Sequence, residues 1–388
     1  MAEEETTDRG TAFARLEVAL EPAPEPAALE PVWRSLLARA DASFFLSWPW
    51  IGTWLEHAVG PRWLARITVD GALVGLALLG ERRRRFGPLV LPSLHLHATG
   101  DPDADRIAIE YNDVLAARGW ESAARAALVR RLFDRSRPGP GARTLVLPMV
   151  GEAFEEAVRT TGARVRRHGE SRSARVDLEA VRRRSGGYLA GLGGSTRRQI
   201  KRAAELYRQR GPLGIEPAAD LDQALSWLRA LAVLHEARFA AARTGGAFAS
   251  ASFEAFHRTL IARALPEGTV ELLRISAGDR PIGYLYNFLW RGWVGYYTSG
   301  FVYEADNKLK PGLVCHWLAI EYYARTGALV YDFMAGESRY KASLAGAGPL
   351  LVTLIVEADD LRARLADGVR ALRDRFRVAS GSRTGEVR

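Results

Sequence analysis

The chain is short of cysteine, of lysine and of long apolar runs, and each shortage excludes something. A single cysteine, Cys315, leaves no internal disulfide framework and no cysteine-rich zinc site, since both need several thiols. The longest uninterrupted apolar run, 72–79, is strand-sized, well below the ~20 residues of a membrane span. The opening MAEEETTDRG is acidic where a secretory signal is basic, and no apolar segment follows it, so a cytoplasmic location is expected. Of 54 basic residues only Lys201, Lys308, Lys310 and Lys341 are lysines. The arginines are spread along an Ala- and Gly-rich chain. That distribution points to composition bias more than to a nucleic-acid surface, although a net charge of +9 does attract phosphate. Three of the four lysines fall between 308 and 341.

What is present is an ordinary globular composition, 48% hydrophobic and 26% charged, over 388 residues, enough for two domains. Residues 1–30, ending in EPAPEPAALEP, have little to bury and predict a disordered acidic, Pro-rich tail, with ordered structure starting near Val32. RPGPGAR (137–143) predicts a loop, and VRRRSGGYLAGLGG (181–194) a domain junction. Two stretches share a pattern: 62–80 and 269–290 each alternate into an Asp-Gly or Gly-Asp turn and out again, the return strand opening with Val74-Gly75 or Ile282-Gly283. This predicts an internal repeat. In the second half the periodicity predicts a short strand near Ile215 and helices over 220–241 and 252–264. The hairpin follows, then a third antiparallel strand at 293–301, a helix opened by Pro311, a strand at 329–333, a short helix and a strand at 350–357.

Two segments carry chemistry. NKLKPGL (307–313) offers two lysines, a proline that sets a helix start and a glycine that lets a ligand approach the backbone. Free N–H groups at a helix N-terminus, aided by the helix dipole, suit an anion. YDFMAGESRYKASLA (331–345) places Asp332, Glu337, Tyr340 and Lys341 where a strand ends. Each has a structural alternative: Asp332 as a turn cap, Tyr340 as a core residue with one wet end, Lys341 in an ion pair with Glu337. Cys315-His316, about 100° apart on a helix, does not suit a thiolate–imidazole pair and predicts core. His95-x-His97 shares a strand face but lacks an evident third ligand, so no metal is expected. Trp48, Trp50 and Trp54, at helical spacing beside Phe44 and Phe45, predict a core cluster.

The element order together with these motifs resembles the GNAT acyltransferase superfamily. Within it, STRRQIKRA (195–203), SFFLSWPWIGTWLEHAVG (43–60) and YDFMAGESRYKASLA resemble the CelD-like (BioF-like) acetyltransferase branch, related to the FemAB peptidoglycan-bridge transferases. The resemblance implies a mixed α/β (α+β) fold of tandem GNAT-like domains, each a mostly antiparallel twisted sheet flanked by helices. It places a degenerate domain at 31–185, a catalytic one at 186–357, and a C-terminal helix (359–376) and tail in 358–388. It implies acetyl-CoA as co-substrate and no metal, with Ser299, Gly300, Phe301 and Val302 along the pantetheine. The pyrophosphate would lie on Lys308, Leu309, Lys310, Gly312 and Leu313. In the family's R/Q-x-x-G-x-G/A pattern Lys308 takes the first position, and Pro311 stands where a glycine is usual. Tyr340 would be the acid, Asp332 or Glu337 the base or amine-recognising carboxylate, and Lys341 a binder of phosphate or of an acidic acceptor. The expected acceptor is the amine or hydroxyl of a small or saccharide-linked molecule, in exopolysaccharide or cell-envelope synthesis. The rival readings are a FemAB-like aminoacyl transferase that uses tRNA, suggested by the RRQIKR helix, and a non-catalytic scaffold.

Overall fold

A computed structural model of the chain describes residues 16–86, 89–134, 136–140, 142–241, 246–336 and 339–358. The first half runs β1 (Leu16–Pro22), α1 (Pro26–Leu37), α2 (Trp48–His57), β2 (Arg62–Val69), β3 (Ala72–Phe86) and β4 (Leu89–Leu96). It continues through β5 (Leu115–Ala116), α3 (Glu121–Phe133), β6 (Thr144–Gly151), α4 (Glu152–Arg159) and β7 (Arg164–Asp177). Three helices, α5 (Leu178–Arg183), α6 (Gly187–Ala190) and α7 (Gly194–Arg208), lead into the second half. This comprises β8 (Leu213–Pro217), α8 (Leu221–Ala241), α9 (Ala251–Ala264), β9 (Val270–Ala277), β10 (Arg280–Trp290), β11 (Trp293–Phe301), α10 (Pro311–Arg325), β12 (Val330–Asp332), α11 (Arg339–Leu344) and β13 (Gly346–Glu357).

The repeat expected from the two hairpins is present in full. Each half presents a strand, two helices, three antiparallel strands, a helix, a parallel strand and a short helix. The first hairpin turns on Asp70 and Gly71, both at positive φ (50° and 80°), the backbone pair a tight type I′ turn requires.

The two halves share one sheet, in the order β1-β2-β3-β4-β6-β13-β7-β12-β11-β10-β9-β8, with β5 beside β3. At its centre the strands are exchanged. β13, the last strand of the second half, pairs with β6 and β7 of the first, and β7 pairs with β12 of the second. A division at 185/186 therefore follows the repeat but not the sheet. The tail expectation fails from Leu16 onward: LEVALEP alternates apolar and polar residues and pairs along its whole length with β2, Leu16 opposite Val69 and Pro22 opposite Trp63. Pairing, not composition, orders these residues. The C-terminal helix expected at 359–376 lies outside the described residues.

The aromatic helix does form core. Ser47 caps α2 by accepting the Trp50 N–H, and Trp48, Trp50 and Trp54 are buried. Phe44 stacks on Phe288 of β10 at 4.3 Å between ring centroids, and Trp50 meets Phe256 of α9 edge-on at 5.1 Å. One apolar core thus spans both halves, each large buried side chain contributing about 1.5–3 kcal/mol. Among the described residues no helix is long and apolar enough to cross a membrane.

Candidate active site

β11 and β12 run parallel but pair only at Trp293–Val330, Val294–Tyr331 and Gly295–Asp332. Past that point β12 ends while β11 continues to Phe301, so the two strands separate. A bulge marks the place: Tyr286 faces Thr298 and Asn287 faces Tyr296, leaving Tyr297 as the extra residue. Bulges bend a strand and re-aim its side chains. Two cavities open here, an inner one of about 440 Å³ and an outer one of about 330 Å³. Both are lined by Arg238 and Tyr340, which makes them the two ends of one groove.

The outer end contains much of the expected anion loop. Leu309, Lys310, Gly312 and Leu313 line it together with Phe301. Pro311 has no N–H, and the Val314 N–H bonds back to Lys310 O, so the N–H groups of Gly312 and Leu313 belong to the unladdered first turn of α10. Lys308 is not in the lining; its backbone N–H is turned onto Asp306 Oδ1. Along β11 the expectation needs correcting. Gly300 lacks a side chain because α8 lies over it: a Cβ there would sit 2.5 Å from Leu231 O. The Val302 N–H is taken by Ile282 O. Ser299 lines the inner cavity, but its hydroxyl is bonded to Tyr296 and its carbonyl to His235 Nδ1 at 3.3 Å.

The inner end brings Tyr340 and Lys341 together with residues that sequence reasoning missed. The loop between β4 and β5, in the first half, reaches across and is fastened at each step. Asp105 accepts from the Thr99 and Gly100 N–H groups, Ile107 O accepts from the Tyr297 hydroxyl at 2.8 Å, and Glu110 Oε2 accepts from the Ala335 N–H at 2.8 Å. Glu110 is the one carboxylate among the described residues lining this cavity. Burial raises its pKa to about 7 and the charge of Asp332 adds to that, against the Ala335 N–H and Lys341. Lys341 donates to Ala335 O at 2.8 Å and Met334 O at 3.3 Å, and burial lowers its pKa. The 334–335 turn, with Met334 at φ 59°, is thus held between Glu110 and Lys341. Burial raises the Tyr340 phenol, opposed by a hydrogen bond with Tyr296 and the charge of Arg238.

Asp332 does not enter the groove. It is fully buried and receives four donors. The Tyr111 hydroxyl (2.6 Å), Arg175 Nε (2.7 Å) and Trp293 Nε1 (3.0 Å) reach Oδ2, and the Met334 N–H (2.8 Å) reaches Oδ1. A carboxylate that is fully buried, engaged by four donors and absent from the lining of both cavities is not presented to a substrate, so the base role expected of Asp332 gives way to a structural one. It ties the loop that carries Glu110 to β7, to β11 and to the 334–335 turn. Glu337 lies outside the described residues. Cys315 is buried in the core and its thiol is pushed up by burial, while the buried His316 Nδ1 bonds the Tyr331 hydroxyl. His95 and His97 diverge, His97 turning at φ 48° toward Asn112 and His95 bonding Ser93. Among the described residues no group of three or more His, Cys, Asp or Glu side chains could hold a metal.

An opened pair of parallel strands leading into a helix N-terminus defines an acyltransferase-type fold, and comparison bears this out. Residues 194–342 match the family model described as an acetyltransferase (GNAT) domain, which supports an acyltransferase of GNAT type. Over nearly the whole chain the fold is shared with FemX (TM-score 0.55, 10% identity, covering 88% of this chain and 97% of FemX). It is shared too with L-PGS from Bacillus licheniformis (0.53, 11%, 89% and 96%). The C-terminal domain of a putative lysylphosphatidylglycerol synthetase from Agrobacterium fabrum has the same fold (0.51, 11%, 94% and 100%). At these identities the likeness is one of fold. No curated protein matches the chain.

Proposed function

We propose that the chain transfers an acyl group, acetyl from acetyl-CoA in the simplest case, to an amine, with the donor in the groove opened between β11 and β12. The observation that carries this reading is the strand separation with Tyr340 at the junction of its two cavities. Lys310 and the first turn of α10 would hold the donor's phosphates at the outer end. At the inner end Glu110, with its pKa near 7, takes a proton from the acceptor's ammonium. The neutral nitrogen then bonds to the carbonyl carbon and the carbon–sulfur bond breaks. Tyr340 gives its phenol proton to sulfur and regains one from the nitrogen. Lys341 keeps the Glu110 side of the turn in place and offsets its charge. Calorimetry with CoA and mass spectrometry of acetyl-CoA incubations across candidate amino sugars test this. Folded protein that gives no CoA heat would overturn the acyl-CoA reading.

A second reading, a donor delivered on tRNA, is favoured by one observation: α7 presents Arg198, Lys201, Arg202 and Arg208 on its exposed side and packs beside α10. It predicts salt-sensitive tRNA retention that Arg198→Ala with Lys201→Ala abolishes. Absence of retention at low salt would remove it. Participation in exopolysaccharide or cell-envelope synthesis is part of the same proposal and predicts an amino-sugar or sugar-linked acceptor.

A further inference from the structure

The inner cavity is unbalanced in charge. Among the described residues that line it, the one carboxylate of Glu110 stands against Arg106, Arg238 and Lys341, with Phe239 and Phe253 as apolar walls. Lys341 is already engaged by the carbonyls of Met334 and Ala335, but the two arginines are not so spent. Among the described residues Arg106 has one ion-pair partner, the exposed Asp103, through Nε at 3.0 Å, which leaves its terminal nitrogens uncommitted by that pair. Arg238 lies over the Tyr303 ring at 5.8 Å and has no carboxylate partner among the described residues. The two come from different halves of the molecule. Arg106 is placed by a loop that Asp105 closes on one side and the Ile107–Tyr297 hydrogen bond anchors on the other. Arg238 is placed by α8. A guanidinium is a forked donor suited to carboxylate and phosphate.

We infer that the acceptor is an amine that also carries an anionic group, its anion bound by Arg106 and Arg238 while its ammonium faces Glu110. This rests on the acyl-transfer reading above. It adds that an amine without the anion is a poorer acceptor, because it forgoes the charge-assisted hydrogen bonds that the two exposed guanidiniums offer an anion. The anion is a carboxylate or a phosphate, and matched acceptors separate the two.

The test uses the full chain with acetyl-CoA and paired acceptors that differ only in the anion: glucosamine 6-phosphate against glucosamine, and phenylalanine against phenethylamine. Within at least one pair the anionic member is expected to show a kcat/KM at least ten-fold higher. Arg106→Ala should bring it down toward that of the neutral member while leaving the KM for acetyl-CoA unchanged. Arg238→Ala should do the same to the acceptor, and Arg274→Ala, an exposed arginine paired with Glu216, should do neither. Equal rates within both pairs overturn the inference, as does an Arg106→Ala loss that falls equally on charged and neutral acceptors. Calorimetry of the same four amines without donor keeps the two proposals distinguishable. Preferential, Arg106-dependent binding of the anionic amines without acetylation would sink the acetyl-CoA reading and uphold the acceptor class. Turnover of neutral and anionic amines alike would do the reverse.

Discussion

In both halves a parallel strand pair is joined over three residues, β4 with β6 at Ser93–Thr144 to His95–Val146 and β11 with β12 at Trp293–Val330 to Gly295–Asp332. Beyond those residues the halves differ. In the second, β11 runs on alone and a groove opens. In the first, β4 stops and β6 runs on, and the place left beside it is taken by the chain itself. Asn112 bridges to Val150, its N–H bonds Met149 O, and its side chain holds Leu96 O and the His97 ring. Burial lowers the His97 pKa to about 4, so the ring that helps close the gap is neutral at ordinary pH. The repeat thus has two equivalent places for a groove, of which one is filled. The segment that fills it also brings Glu110 and Tyr111 to the other, so the first half has no groove of its own and lines that of the second.

The largest effect that would sharpen this contrast is on catalysis. Glu110→Gln should lower kcat by about 10²- to 10³-fold, the range of a lost general base, with CoA heat unchanged. Because burial raises Glu110, the active, deprotonated form accumulates as pH rises through about 7. Wild-type kcat/KM should climb across that pH, and Glu110→Gln should flatten the climb. An unchanged rise in the variant would show that the first half takes no part in the chemistry. Next, Asp332→Asn removes the charge on which Tyr111, Arg175 and Trp293 converge, and should cost about 2–3 kcal/mol in urea unfolding. It should also shift any remaining acidic limb to lower pH, since the Asp332 charge helps to raise Glu110. A variant with wild-type midpoint and pH profile would break the link between the halves. Asn112→Ala strips two side-chain hydrogen bonds from the filled gap, expected at about 1–3 kcal/mol. If the plug positions the site, kcat should fall with stability, and a loss of stability alone would make it filler. The smallest effect separates two lysines: Lys310→Ala should weaken CoA binding about two- to five-fold, as one charge near a helix N-terminus would, and Lys308→Ala less.

Much of the second half was legible in the sequence because its signals are local. Pro311 marks the start of a helix, the alternation of 293–301 marks β11 to the residue, and α8 and α9 begin within one residue of their predicted starts. The repeat was visible in two hairpin turns for the same reason. The rest depended on contacts between residues far apart. Nothing near LEVALEP announces that β2 pairs with it, and nothing near 346–357 says that its partners are β6 and β7. Asp332 stood out as an aspartate in an apolar strand, and its isolation was informative, but whether such a group faces substrate or is buried under four donors depends on Tyr111, Arg175 and Trp293. Glu110 had a faint mark of its own, a single carboxylate after Ile107 and Ile109 in RIAIEYN, both buried. That alternation is common to half-buried loops and gains meaning only once the loop is seen to end at Ala335.

The position of β13 has a consequence for synthesis. Leu354 lies 207 positions after its partner Leu147, and Leu351 180 after Ser171. While the chain emerges from a ribosome, the edge of β6 must wait for at least 200 further residues (Gly151 to Leu351) and that of β7 for at least 171 (Arg175 to Gly346). The half that is made first is therefore completed last. Such long-range closure slows folding and exposes unpaired strands meanwhile. Cutting the chain at residue 345 would leave β6 and β7 without the strand that joins them, so the first repeat is not a unit that can be lifted out and studied alone.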